Sequence, residues 1–422
     1  MMADQVSALQ AAQEAKDASA AVAACSAAQR SRAIEAAASA LEAHSADIVA
    51  ANAQDMARGR ENGMSEPLLD RLFLDEGRIR DIAAGMRAVA SQADPVGEVV
   101  SGRTLDSGVR LTQLRVPMGV VAAIYEARPN VTADIAALAL RAGNACVLRG
   151  GSAAALSCEA MVEALREGVA AAGLPAGAVT YVSKPGREQT SDLMRANGLV
   201  DVLIPRGGAS LIQACVQQAT VPVIETGVGN CHLYLERTAD PECAVNIAVN
   251  AKTQRPGVCN AIESLLVDRD AAPALLPPVC AALADRGVEL VGDADAREAL
   301  EGSGITMGEA TEQDWDTEYL ALKISVACVD GVDEAIAHIN AHGTHHSECI
   351  VTCDYEAGER FLAGVDAAAV YVNASTRFTD GGMFGLGAEV GISTQKLHAR
   401  GPMGATALTT TKYLLRGEGQ VR

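Results

Sequence analysis

The sequence predicts an α/β protein whose main sheets are parallel. From residue 119 onward, short apolar runs alternate with amphipathic stretches, the rhythm of strand–helix–strand crossovers. Ahead of them lies a long stretch that reads as helical, and between the two sit two alternating runs joined by a Gly-containing turn. At 422 residues the chain has room for two or three domains.

Taken in order, residues 3–94 read as helical. Ile79, Ile82, Met86 and Val89 repeat at helical spacing after the cap candidate Asp75, and Pro95 closes the run. The runs 99–105 and 109–114 flank Asp106-Ser107-Gly108 and make a hairpin. Strands follow at 120–125, 146–149, 179–182, 200–204 and 221–225, with helical stretches between them such as the one carrying Met161, Val162, Leu165 and Val169. A second α/β stretch begins near Cys231 and runs to about residue 398; residues 406–415 read as a closing strand. Ligands of parallel sheets sit beyond the carboxyl ends of the strands. Here those ends carry Arg149-Gly150-Gly151-Ser152 and Pro205-Arg206-Gly207-Gly208, each leading into a helix, where free N–H groups beside arginine suit a phosphate.

Composition narrows the class. Hydrophobic residues at 49% and charged residues at 21% are globular values, and aromatics at 3% leave Ala, Val, Leu and Ile to build the cores. With 34 Lys and Arg against 53 Asp and Glu, the formal charge of −19 argues against nucleic acid or an anionic membrane as partner. A small anionic substrate feels only its local pocket and stays possible. There is no run of the ~18 apolar residues that span a bilayer, and Met1-Met2-Ala3-Asp4-Gln5 does not resemble a signal peptide. Eleven scattered cysteines without a Cys-x-x-Cys pair read as reduced thiols. The expectation is a soluble, cytoplasmic protein.

Among chemical motifs, Walker A, Gly-x-Gly-x-x-Gly, His-Glu-x-x-His and Gly-x-Ser-x-Gly are all absent. His345, His346, Cys349 and Cys353 raise a metal site. If residues 350–352 are a strand, however, the two cysteines stand about 13 Å apart on one face, too far for one ion. No metal is expected. In Lys252-Thr253-Gln254-Arg255-Pro256-Gly257-Val258-Cys259-Asn260, a cysteine follows a Pro-Gly turn with two cations nearby, which favours a thiolate. Cys259 is thus either a nucleophile or core filler.

Four segments carry a resemblance. They are Val116-Pro117-Met118-Gly119-Val120-Val121 through Tyr125-Glu126-Ala127-Arg128-Pro129-Asn130-Val131-Thr132; Ile224-Glu225-Thr226-Gly227-Val228-Gly229-Asn230-Cys231-His232; the Cys259 segment; and the run from Phe384-Gly385-Leu386-Gly387 to Lys396-Leu397-His398-Ala399-Arg400-Gly401-Pro402. In this order they resemble the gamma-glutamyl phosphate reductases, also called glutamate-5-semialdehyde dehydrogenases, of proline biosynthesis. That family is a branch of the aldehyde dehydrogenase superfamily, and the likeness covers nearly the whole chain.

The resemblance implies an aldehyde dehydrogenase-like α/β fold with a Rossmann-like cofactor domain, an α/β catalytic domain and a small β oligomerisation element. It places the NADP-binding domain at 1–96 and 118–238, the catalytic domain at 239–399, and the oligomerisation hairpin and tail at 97–117 and 400–422. It also implies NADPH-dependent reduction of L-glutamyl 5-phosphate to glutamate 5-semialdehyde and phosphate. Cys259 would form a thioester, and Asn130 would give a donor to the reacting oxygen unless it is only a turn residue. Glu225 falls where oxidising relatives keep a water-activating glutamate; here it either tunes Cys259 or ends a strand. Arg149, with Gly150 and Gly151, meets the cofactor's 2′-phosphate or is a solvated strand end. Arg206, Gly207 and Gly208 form the other cofactor-binding strand end, and Glu318 matches the residue that holds the nicotinamide ribose.

For the substrate, the run Asn373-Ala374-Ser375-Thr376-Arg377 is the candidate. Arg377 pairs with the α-carboxylate or is an exposed loop arginine, with Asn373 and Ser375 beside it. Lys252 or Arg255 meets the leaving phosphate or caps a helix. No kinase segment precedes the reductase-like part, so glutamate 5-kinase is implied as a separate pathway partner. Exposed edges at the hairpin and tail imply a homo-oligomer. The alternative reading is an oxidative aldehyde dehydrogenase acting on another semialdehyde.

Overall fold

The computed structural model describes residues 5–126 and 128–422. Residues 3 and 4 of the expected helical stretch, and Ala127 of the 125–132 motif, lie outside the described residues. The chain divides into two compact units. The first runs to Thr226 and also takes Gly385–Gly391 and Pro402–Arg422; the second holds Gly227–Phe384 and Ile392–Gly401.

The first unit begins with helices Ala8–Ala24, Ala27–Ala43, Ser45–Glu61, Glu66–Leu72 and Glu76–Ser91. Ser7 with Gln10 and Ser26 with Gln29 form capping boxes that satisfy the free N–H groups of the first two. Asp75 caps the last as expected, its side chain accepting the Arg78 N–H at 2.7 Å. Ile79, Met86 and Val89 of that helix are buried, and Ile82 is half-buried.

These helices precede a parallel four-stranded sheet with spatial order Val179–Tyr181, Ala145–Gly150, Val120–Tyr125, Val202–Arg206. In chain order that is third, second, first, fourth, so the direction of winding reverses between the first and fourth strands. Ala8, Ala11, Ala12 and Ala15 pack on Val120, Ala122, Ile124 and Val147 in one core. Small side chains let a helix lie close to the sheet, which is how a chain poor in aromatics fills its interior.

Two sequence expectations shift here. The fourth strand sits at Val202–Arg206 in place of 200–204, and residues 221–225 form no strand, only an isolated bridge between Val223 and Leu203. Leu203 donates to the Pro222 carbonyl and accepts the Ile224 N–H, but neither Pro222 nor Pro205 has an N–H to carry the ladder further.

Val99–Thr104 and Arg110–Pro117 form the expected antiparallel hairpin, with Gly108 at φ +83° in its turn. Thr409–Arg416 adds the third strand, while residues 406–408, expected as strand, belong to a 3₁₀ turn, Ala405–Leu408. Asn144 anchors this tail: its side chain donates to the Leu408 carbonyl and accepts the Gly119 N–H.

The second unit is built on a parallel seven-stranded sheet. Its order is Gly308–Glu309, Glu289–Gly292, Lys323–Val329, Ile262–Asp268, Cys231–Leu235, Ser347–Val351, Ala369–Val372. Alternation along the strands sends Leu233, Leu235 and Leu265 into a core with helices Pro241–Thr253 and Ala272–Ala284. Tyr234, Leu266 and Ile350 enter another core with Ile339 of helix Val332–His342 and Phe361 of helix Tyr355–Gly364.

Cys231–Leu235 pairs on both sides inside this sheet, so the first unit ends after Thr226 and not at the expected 238. The last strand but one stops at Val351. Cys349 is therefore buried in the core, whereas Cys353 leaves the sheet and is exposed.

In the first unit, helices Ala27–Ala43 and Ala155–Ala171 touch backbone to backbone: a Cβ at Gly168 would stand 2.5 Å from the Ala36 carbonyl oxygen. Gly168→Ala should therefore cost about 1–3 kcal/mol of stability in urea unfolding. An unchanged midpoint would show that the two helices are not in contact there.

Candidate active site

The capped helix Pro241–Thr253 ends at Gln254, and an irregular turn carries the chain through Cys259 into strand Ile262–Asp268. Cys259 is partly exposed. Its backbone is held from two directions. On one side the Cys231 thiol donates to the Cys259 carbonyl at 3.1 Å, and Gly229 lies so close that a Cβ there would stand 1.5 Å from the same oxygen. On the other, the Asn260 side chain donates to the Thr379 carbonyl at 2.8 Å while the Asn260 backbone carbonyl accepts the Thr376 hydroxyl at 2.6 Å. These bonds fasten the thiol's turn to the segment 375–379.

Arg377 belongs to that segment. Its Nε donates to Gln254 at 3.0 Å; burial lowers its pKa, and Asp380, Cys259 and Arg255 all lie near enough to act on its charge. Ser375 accepts the Arg377 N–H at 3.3 Å, shaping the short turn Thr376–Phe378. Arg255 is exposed.

Asn373 behaves otherwise. At φ +55°, its amide accepts the Thr352 N–H at 2.9 Å and donates to the Thr352 carbonyl at 2.8 Å. That side chain binds the neighbouring strand end on both its oxygen and its nitrogen.

Glu318 accepts the Gly229 N–H at 2.7 Å. Two residues on, Leu320 sits at φ +53° and donates its N–H to Glu263 at 3.2 Å. Glu263 is ion-paired with Lys252, both side chains fully buried. Burial pushes the Glu263 carboxyl up against the pull of Lys252, and burial likewise pushes the Lys252 ammonium down. Lys252 is thus enclosed under the Glu318 segment, with its ammonium engaged by Glu263.

The remaining sequence-derived residues lie in the first unit. Gly150 and Gly151 follow the second strand, and Gly207 and Gly208 follow the fourth. A Cβ at Gly151 would meet the Glu126 Cα at 3.3 Å, and one at Gly207 would meet the Glu126 carboxyl carbon at 2.8 Å. The Gly208 N–H, at the start of helix Ala209–Gln218, donates to the Glu126 carboxylate at 2.9 Å. The helix start thus already holds one negative charge, as its free N–H groups favour.

Arg149 gives three of its N–H groups to carbonyls of the turn after the third strand: Val182 at 2.9 Å, Lys184 at 2.8 Å and Gly186 at 3.1 Å. Two guanidinium N–H groups are left; Lys184 and Arg187 are exposed, and the Glu188 carboxylate lies near enough to act on the Arg149 charge.

Arg206 is folded against Gly391, where a Cβ would stand 2.7 Å from a guanidinium nitrogen. Asn130 opens helix Asn130–Arg141 and donates to Asp134 at 3.2 Å; burial pushes the Asp134 carboxyl up to about 6, against Asn130 and Arg206. Glu225 is half-buried in the non-strand segment before Thr226.

The aldehyde dehydrogenase family profile matches residues 1–307. The chain is 53% identical over 410 residues to the gamma-glutamyl phosphate reductase of Moorella thermoacetica, covering 97% of each. It is 55% identical over 408 residues to that of Clavibacter michiganensis, covering 97% of this chain and 94% of the relative. The crystal structure of gamma-glutamyl phosphate reductase from Thermotoga maritima superposes with a TM-score of 0.95 at 44% identity, over 99% of this chain and all of that one. The chain belongs to the gamma-glutamyl phosphate reductases. An acetylating aldehyde dehydrogenase from Geobacillus thermoglucosidasius, at 19% identity and a TM-score of 0.70, shares the fold.

Sequence reasoning missed Cys231, Asn260 and Glu263 as supports of the Cys259 and Glu318 backbones. Nothing local marks them, because their partners lie far along the chain. Lys184 and Arg187 left a better signal: two cations flank a Pro-Gly turn that follows a short apolar run.

Lys252→Met leaves the Glu263 carboxylate buried without its counter-charge and should cost about 3–5 kcal/mol in urea unfolding. Lys252→Met with Glu263→Leu should recover most of that loss. A single variant as stable as the parent would show that the pair is solvated.

Proposed function

We propose that the protein reduces L-glutamyl 5-phosphate to L-glutamate 5-semialdehyde, releasing phosphate, with NADPH as reductant, as the second step of proline biosynthesis from glutamate. One observation carries this reading. The partly exposed thiol of Cys259 sits on a turn fastened by Gly229, Cys231 and Asn260, in a chain more than half identical over nearly all its length to proteins named gamma-glutamyl phosphate reductase.

The Cys259 thiolate attacks the acyl carbon, the carbon–oxygen bond to phosphate breaks, and a thioester remains on the sulfur. Phosphate is a good leaving group and needs little acid help. The Cys259 backbone N–H and the Asn130 amide are the proposed donors to the acyl oxygen, each such donor being worth ~3–4 kcal/mol. When bound, the dinucleotide supplies a hydride to the acyl carbon. The resulting thiohemiacetal oxyanion re-forms its carbonyl, the carbon–sulfur bond breaks, and the aldehyde leaves with the Cys259 thiolate restored.

Arg377 takes the α-carboxylate and Arg255 the departing phosphate. Glu318 holds the nicotinamide ribose. Glu225 takes no part as a base, because an activated water would hydrolyse the thioester.

The first unit is the proposed cofactor domain, and the second is the proposed catalytic domain. Arg149, Lys184 and Arg187 support NADPH over NADH, since three cations suit a 2′-phosphate. Val99, Val100, Tyr413 and Leu415 are exposed on the three-stranded sheet, which supports a homo-oligomer through that sheet. No helix among the described residues is long and apolar enough to cross a membrane, and every cysteine is a free thiol; both support a cytoplasmic location. Acyl phosphates are labile, so glutamate 5-kinase is the proposed source of substrate.

The test runs the reaction backwards with glutamate 5-semialdehyde and NADP⁺, with and without inorganic phosphate. Reduced nicotinamide should form only when phosphate is present, and Cys259→Ser should lose about 10⁴-fold or more of the rate. Reduction without phosphate would mean that water accepts the acyl group, and the oxidative aldehyde dehydrogenase reading would replace this one.

A further inference from the structure

Three consecutive residues, Gly229, Asn230 and Cys231, lie between the Cys259 turn and the Glu318 segment. The outer two touch the Cys259 carbonyl, Gly229 by close approach and Cys231 through its thiol. Gly229 also donates its N–H to the Glu318 carboxylate.

Asn230, between them, is almost fully buried. Its amide donates to the Trp315 carbonyl at 2.7 Å and to the His342 carbonyl at 2.8 Å, and its N–H donates to the Thr344 hydroxyl at 2.9 Å. Trp315 stands three residues before Glu318, and His342 ends helix Val332–His342. One side chain therefore binds the root of the Glu318 segment and a helix end to the backbone that presses on Cys259.

The residue type matters. Two carbonyls converge on the site, so it needs two hydrogens from one short side chain, and asparagine supplies them. The amide oxygen is buried with no hydrogen-bond partner, so the position favours the donors at the expense of the acceptor. Aspartate has the same shape but would set a carboxylate against two carbonyls.

We infer that Asn230 is a positioning residue that fixes the spacing between the Cys259 thiol and the Glu318 carboxylate. It thereby sets where the nicotinamide ribose of a bound dinucleotide rests relative to the reacting carbon. This rests on the proposed roles of Cys259 and Glu318. Asn230 touches neither the substrate nor the cofactor; it acts through Gly229 and the chain leading to Glu318. Hydride transfer is sensitive to such spacing, since a displacement of about 1 Å at a reacting centre can cost ~10²-fold in rate.

The test compares Asn230→Asp and the milder Thr344→Val with the parent protein. Four readouts are taken: NADPH binding, the rate with NADPH, the primary isotope effect with NADPH deuterated at the transferred position, and the alkylation rate of Cys259 by iodoacetamide without cofactor. Asn230→Asp should alkylate within about twofold of the parent, bind NADPH severalfold more weakly and turn over ~10–100-fold more slowly. Its isotope effect should rise as hydride transfer becomes limiting, and Thr344→Val should move the same quantities less far.

A folded Asn230→Asp with parental binding and isotope effect would overturn the inference, even if its rate fell. Should Asn230→Asp fail to fold, an unchanged isotope effect in Thr344→Val would overturn it. Failure of the parent to show phosphate-dependent turnover would instead strike the proposed function, and NADPH binding by the variants would still test Asn230.

Discussion

The second unit is arranged around a close backbone contact. Gly229 passes the carbonyl of Cys259 at a distance that no side chain permits, and the chain on either side of that contact must follow. Strand Cys231–Leu235 starts two residues later at the middle of a parallel sheet, so its direction is fixed by neighbours on both sides. The turn bearing Cys259 enters the adjacent strand within three residues, so it too is tied to the sheet. A reactive thiol on a loop is normally mobile. Here the loop is short, its carbonyl is engaged from one side, and Asn260 pins it from the other.

Below this contact lies a layer of charge and amide groups with no access to solvent. Lys252 and Glu263 neutralise each other, and the spare oxygen of Glu263 takes up the N–H of Leu320, whose left-handed backbone carries some strain. The cost of burying two charges is offset only while each keeps the other, so the pair ties the Glu318 segment to helix Pro241–Thr253. In the first unit the alanine-rich helix Ala8–Ala24 rests directly on the strands.

The parts of the fold legible in the sequence are those set by local periodicity. The hairpin, the cap at Asp75 and the first three strands of the four-stranded sheet follow from alternation, turn residues and apolar runs. Residues 221–225 misled because their apolar run looks like a strand, while Pro222 lacks the donor a ladder needs. At the site, Cys259 was legible because a Pro-Gly turn with nearby cations is a local pattern. The partners of Lys252 and Asn373 were not legible, because Glu263 and the Thr352 backbone are brought up by the fold. Asn230 was quoted only within a motif, since nothing beside it in sequence indicates that two distant carbonyls converge on its amide.

That distance along the chain also orders events as the protein forms. The contacts of Asn230 span 85 and 112 residues, and the bond from Asn260 spans 119. Closures of this length are entropically late, arriving after the local helices and the hairpin. A chain still emerging from the ribosome has made residue 259 long before it has made residue 379. At the start of that interval Cys259 is one thiol among seven, with no fixed neighbours to set it apart. Its distinct chemistry is a property of the completed fold, so an unfinished chain has no means of drawing on a labile acyl phosphate.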